Sequence, residues 1–182
     1  MNRLKHNNKI SSEDLITRYQ YDNTYQVPKL ERLVVSLSLK SSGFNRKNLP
    51  RLLMASTIIT GQKTKPVITK QGDAAFGIRK NDPVATKVTL RGDDAFQFID
   101  FVNTIVLPKV KNFEGLSKKN INQNKAFNFQ INNPLSFPQL EMAYEKFDNL
   151  GPISISLITS NKNAKNMEAF WRMQGLPFRQ TL

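Results

Sequence analysis

Val84 to Pro108 reads VATKVTLRGDDAFQFIDFVNTIVLP, and the fold turns on the point where its hydrophobic period changes. From Val84 to Arg91 the period is two. Thr86, Val88 and Leu90 fall on one side and Lys87, Thr89 and Arg91 on the other, as in a strand with one covered face. After Gly92 the period becomes helical, with Phe98, Phe101, Val102 and Ile105 in one stripe. Asp94 and Gln97 have capping-box spacing, so Asp93 and Asp94 are expected to cap this helix and Pro108 to end it. Neighbouring carboxylates on a helix point apart, which makes this pair a poor acid/base couple.

Upstream, Leu33, Val35, Leu37 and Leu39 alternate with Arg32, Val34, Ser36, Ser38 and Lys40, a second period-two strand whose other face is polar enough to meet solvent or RNA. Ser11 to Asp14 precede Leu15, Ile16 and Tyr19, which predicts a first helix with a Ser cap and acids in its first turn. Gly43 to Asn48 reads as a basic loop. Leu49-Pro50 opens a helix in which Leu52, Leu53, Ser56 and Ile59 keep helical spacing until Gly61 stops it. Pro66 to Thr69 is a short strand, and Lys70 to Pro83 a long basic loop.

Downstream, Lys109 to Asn124 is a basic, Asn-rich connection. Phe127, Phe129 and Ile131 alternate, as do Ile153, Ile155 and Leu157, and a last helix from about Ala164 carries Met167, Phe170 and Trp171. Several strands are joined directly, which favours α+β over a doubly wound sheet. The expectation is a single domain over residues 1–182: a mostly antiparallel sheet, helices packed on one of its faces, and an extended loop at residues 70–83.

Among the 182 residues, 27 Lys and Arg stand against 14 Asp and Glu, a net charge of +13. Such self-repulsion is relieved by a polyanion, which points to nucleic acid. The longest apolar stretches fall well short of the roughly 20 residues a membrane span needs, so no membrane partner is expected. Cysteine is absent and His6 is the sole histidine, in an Asn- and Lys-rich N-terminus. Disulfides, thiolate metal sites and cysteine nucleophiles are excluded. A Ser-His-Asp triad would lack a rigid setting. No His/Asp/Glu cluster has metal-ligand spacing, so neither metal, cofactor nor enzymatic activity is expected.

Gly61-Gln62-Lys63-Thr64 ends like a phosphate-binding loop, but a helix precedes it and a strand follows, the inverse of the required order. Gly61 is better read as a helix C-cap. The distinctive residues are Lys63, Lys65, Lys70, Arg79, Lys80, Lys87 and Arg91, interleaved with Gln62, Thr69, Phe76 and Thr89. They combine phosphate-neutralising charge, hydrogen-bonding groups and a stacking ring, which is what binders of structured RNA use. The bland alternative is a solvated charged face with Phe76 in the core.

At these positions the sequence resembles the bacterial-type large-subunit ribosomal protein family numbered five. Val27-Pro28-Lys29-Leu30-Glu31-Arg32 is similar to the family's lead into its first strand. Thr60-Gly61-Gln62-Lys63 with Pro66-Val67-Ile68-Thr69-Lys70 resembles its T/S-G-Q-K-P-x-I-T-K. Lys87-Val88-Thr89-Leu90-Arg91-Gly92 resembles its K-V-T-L-R-G, Leu107-Pro108-Lys109-Val110 through Ser117 its L-P-R-V-R-D-F-R-G-L-S, and Phe137-Pro138 its I-F-P-E-I. The blocks come in family order over nearly the whole chain.

The resemblance implies a structural role in the central protuberance, with large-subunit rRNA, 5S rRNA and other protuberance proteins as partners. It implies rRNA contacts at Gln62 and Thr89, with Lys63, Lys87 and Arg91 beside them as phosphate partners, and a third polar position at Ser36, where the family usually has Asn. It also implies a loop facing P-site tRNA through Lys70, Ala75, Phe76, Gly77, Arg79 and Lys80, and a bridge to a small-subunit head protein. A free RNA-binding regulatory module is the alternative. The abundance of Asn, Lys and Ile, together with a family pattern that begins near residue 1, points to an organelle-encoded mitochondrial protein, with a bacterial cytoplasm as the other location.

Overall fold

The alternation of β-branched and polar residues forms strands where it was expected, at Leu30–Leu39 (β1), Lys65–Ile68 (β2), Pro83–Leu90 (β3), Ala126–Ile131 (β5) and Leu150–Thr159 (β6). A two-residue strand, Ile121–Asn122 (β4), lies inside the supposed connection. In this computed structural model, which describes residues 13–19, 21, 23–39, 48–74, 77–122, 126–147, 150–160 and 164–179, the strands form one sheet in the order β2-β3-β1-β6-β5-β4. β2 with β3 and β4 with β5 pair antiparallel. The α+β class with helices packed against the sheet is the one that forms. Ser11, Ser12 and the loop from Gly43 to Lys47 lie outside the described residues.

By contact density the chain divides into two discontinuous units, Met1–Leu33, Leu90–Phe129 and Ser156–Leu182 in one, Val34–Thr89 and Gln130–Ile155 in the other. The first unit holds a short helix at residues 13–18 (α1), the helix Gly92–Phe101 (α3) and the helix Ala164–Met173 (α7). In α1 only part of the expected apolar face is covered: Leu15 is buried, but Ile16 is about half exposed. The core is Trp171, Phe170, Phe127, Leu33 and Leu90 with the α3 residues Ala95, Phe98 and Ile99. Each fully buried large side chain contributes roughly 1.5–3 kcal/mol. Phe170 meets Trp171 edge-on at 4.9 Å, and Phe127 packs against Phe178 at 5.2 Å.

The structure corrects the reading of α3 at both ends. The helix starts at Gly92, with extended Arg91 as its N-cap and no side-chain cap; Asp93 and Asp94 sit in the first turn, where they oppose the positive end of the helix dipole. Pro108 does not end it. Val102–Val106 widens into a π turn, with the Leu107 N–H donating to the Val102 carbonyl, and Leu107–Lys109 (α4) adds a last α turn. Pro108 has no N–H to give and its ring crowds the carbonyl four residues back; the extra residue in the π turn relieves both. That residue also rotates the stripe, so Val106 and Leu107 are buried while Ile105 faces out.

The second unit holds Leu49–Thr60 (α2), packed against two one-turn helices, Pro138–Glu141 (α5) and Tyr144–Phe147 (α6). Leu52, Ala55, Ser56 and Ile59 form the buried face of α2, as the spacing predicts, and Phe137, Leu140 and Phe147 are buried too. α2 ends at Gly61, whose φ of 69° is the left-handed conformation that glycine adopts without Cβ strain.

Candidate nucleic-acid interface

Within the second unit the period-two alternation sorts the strands. On β3, Thr86 and Val88 are buried, Lys87 is exposed and Thr89 is half-buried. On β1, Val35 and Leu37 are buried while Ser36 lies on the less covered side. Ser36, Lys87 and Thr89 therefore share the character expected of them, polar groups on the open side of apolar strands. Thr86 instead serves the buried side, where its hydroxyl donates to the Leu37 carbonyl at 3.5 Å.

The register adds a residue that no local pattern could reveal. Lys65 on β2 is the direct Cα partner of Lys87 on β3, so two exposed ammonium-bearing side chains stand opposite one another. Like charges directly opposite are destabilising in a free sheet, and a phosphate placed between them reverses the sign.

Gln62 and Lys63 sit in the turn between α2 and β2, half-buried and exposed respectively. A hydroxyl cluster fixes this turn. Ser56 Oγ donates to Thr64 Oγ1 at 3.0 Å and also lies 2.9 Å from the Leu52 carbonyl, while Thr57 Oγ1 and Thr64 Oγ1 are 2.9 Å apart. Thr64 is thereby buried at the mouth of β2, and Gln62 and Lys63 are held close before it. Arg91 is exposed and extended at the head of α3; it belongs to the first unit.

The long basic loop is a built hairpin. Asp73 and Ile78 bridge, with amide-to-carbonyl distances of 2.8 and 2.9 Å. Below them the Thr69 N–H donates to the Asp82 carbonyl at 2.9 Å, and the Asn81 N–H to the Thr69 carbonyl at 3.1 Å. Lys70, Gly77, Arg79 and Lys80 are all exposed on it. Ala75 and Phe76 lie outside the described residues. Asp82, only 3% exposed, is buried at the base of the loop, although a carboxylate in a Gly- and Lys-rich loop reads as solvated.

Among the described residues no group of His, Asp or Glu could hold a metal ion, and no helix is long and apolar enough to cross a membrane. The arrangement positions charge and hydrogen-bonding groups; it offers no converging nucleophile and base.

Comparison with known proteins agrees along the whole chain. The sequence profile for the C-terminus of the ribosomal protein uL5 family matches residues 83–178. The chain is 34% identical over 166 residues, 91% of each sequence, to the large ribosomal subunit protein uL5m of Reclinomonas americana. It is 33% identical over 174 residues, 93% of this chain and 96% of the relative, to uL5c of Tetradesmus obliquus. To uL5 of Trichormus variabilis it is 36% identical over 167 residues, 91% and 90% of the two sequences.

Proposed function

The chain belongs to the ribosomal protein uL5 family, whose members are structural, rRNA-binding constituents of the large ribosomal subunit and not enzymes, and from that membership we propose a specific docking role. The open side of the second unit's strands binds 5S rRNA in the central protuberance, through Ser36, Gln62, Lys63, Lys87 and Thr89, with Arg91 adding a phosphate contact. The hairpin, through Lys70, Ala75, Phe76, Gly77, Arg79 and Lys80, faces P-site tRNA, and the chain helps to bridge to a small-subunit head protein. Residues 1–182 act as one ribosomal domain in this reading.

The observation that carries the RNA contact is the Lys65–Lys87 pair beside polar Thr89. Charge fixes affinity, and the polar side chains fix register. The Asn, Lys and Ile bias, together with the mitochondrial relative, supports a mitochondrial ribosome as the location. Family membership leaves a free regulatory module without an observation in its favour.

The test is a mobility-shift titration of the complete chain against 5S rRNA and against a shuffled RNA of equal length, at several salt concentrations. Binding to 5S rRNA at least tenfold tighter than to the shuffled RNA is expected. Equal affinity for both would reduce the surface to a non-specific polycation.

A further inference from the structure

We infer that Thr69 and Asp82 are positioning residues that aim one side chain, Arg79, and that Arg79 is the oriented phosphate contact of the hairpin while Lys70 and Lys80 supply only diffuse charge. The inference rests on the proposed RNA-facing role of this loop.

The backbone of Arg79 is held on both sides. Its N–H donates to Asp82 Oδ2 at 3.1 Å. Its carbonyl accepts from Thr69 Oγ1 at 2.8 Å and from the Asp82 N–H at 3.1 Å. The Thr69 hydroxyl has one proton, given chiefly to Arg79, and its oxygen accepts from the same Asp82 N–H at 3.1 Å. Four bonds thus tie Arg79, Asp82 and Thr69 into one clasp.

Local geometry reinforces it. The Asp82-to-Arg79 bond closes a four-residue turn whose third residue, Asn81, has a φ of 68°. Left-handed backbone at that position is the type II pattern, and Asn tolerates it better than most residues. From the other strand, a Cβ on Gly72 would lie 3.2 Å from both the Ile78 oxygen and the Lys80 nitrogen, so only glycine lets the two strands approach this closely. Burial of Asp82 removes competing water from the clasp.

A fixed Cα matters for arginine in particular. Its planar guanidinium recognises phosphate through two parallel hydrogen bonds, and their geometry is lost if the launching backbone drifts. Lysine is a point charge on a flexible stem and needs no such aim. Lys80 occupies the second position of the turn and Lys70 follows the clasp threonine, both exposed.

The experiment uses the complete chain with Thr69→Val, Thr69→Ser, Arg79→Lys, Arg79→Ala, Lys70→Ala and Lys80→Ala. Amide exchange is measured on the free protein, and tRNA binding in the P site on ribosomes reconstituted with each variant. Thr69→Val is expected to speed exchange at Asn81 and Asp82 at least tenfold and to weaken tRNA binding as much as Arg79→Lys does. Thr69→Ser restores both, and each Lys→Ala lowers tRNA binding less than Arg79→Lys. If Arg79→Ala weakens tRNA binding while Arg79→Lys or Thr69→Val does not, the aiming role is overturned and the tRNA-facing role stands. If none of the Arg79, Lys70 and Lys80 variants changes tRNA binding, the tRNA-facing role itself fails, and the inference with it.

Discussion

Lys65 and Lys87 are paired across β2 and β3, Cα opposite Cα, both exposed. Two unit charges 4 Å apart repel by about 1 kcal/mol in water, so the free sheet edge stores a small strain that an anion removes. The first prediction follows from that sign. Lys65→Ala should raise the stability of the free protein by about 0.2–1 kcal/mol in urea denaturation, yet weaken RNA binding and lower its log–log salt slope by about 1. A variant that is less stable and binds RNA unchanged would mean that Lys65 is an ordinary surface residue.

Gln62 and Thr89 should behave differently from the lysines around them. Gln62→Ala or Thr89→Ala is expected to cost about 1 kcal/mol in binding to structured rRNA and close to nothing with a shuffled RNA, because polar contacts set register and charge does not. Mobility shifts on both RNAs check this. Equal losses on both would remove these two residues from the contact surface.

The turn that presents Gln62 and Lys63 depends on a buried hydroxyl. Thr64→Val keeps the shape but leaves Ser56 and Thr57 without their shared partner, which should cost about 1–2 kcal/mol of stability by urea denaturation. Binding to structured rRNA should fall with it. Unchanged stability would show that the hydroxyl cluster is incidental.

Two glycines should separate by severity. Gly61 has a positive φ and open space where a Cβ would go, so Gly61→Ala should cost about 1 kcal/mol. Gly115, at φ 105°, would place a Cβ 2.8 Å from the Arg179 nitrogen, where the chain closes through the Leu116 N–H donating to Pro177 at 2.7 Å. Gly115→Ala adds that backbone clash and should cost about 3 kcal/mol or more. Thermal melts of the two variants give the comparison.

Much of this was legible in the sequence where the physics is local. The change of period at Gly92 placed β3 and α3, the spacing of Leu52, Ser56 and Ile59 gave the buried face of α2, and Gly61 was its cap. The misreadings came from effects that cross a turn or a strand. A π turn absorbed Pro108 and turned Ile105 outward, which a 3.6-residue period cannot represent. β4 is two residues long, too short for any alternation to register. In the candidate interface, Lys63, Lys87 and Thr89 followed from composition and alternation. The pairing of Lys65 with Lys87 needed strand register, and the burial of Asp82 needed the three-dimensional closure of its turn.

The central claim, that this chain docks 5S rRNA in the large subunit, is tested most directly by sedimentation. Ribosomes from the source cells are separated on a gradient at moderate salt, and each fraction is probed for the chain, for large-subunit rRNA and for 5S rRNA. The account predicts that all three migrate together, and that washing the chain off at high salt releases 5S rRNA with it. Co-migration of the chain with large-subunit rRNA while 5S rRNA is absent, or stays bound after the chain has left, would contradict it.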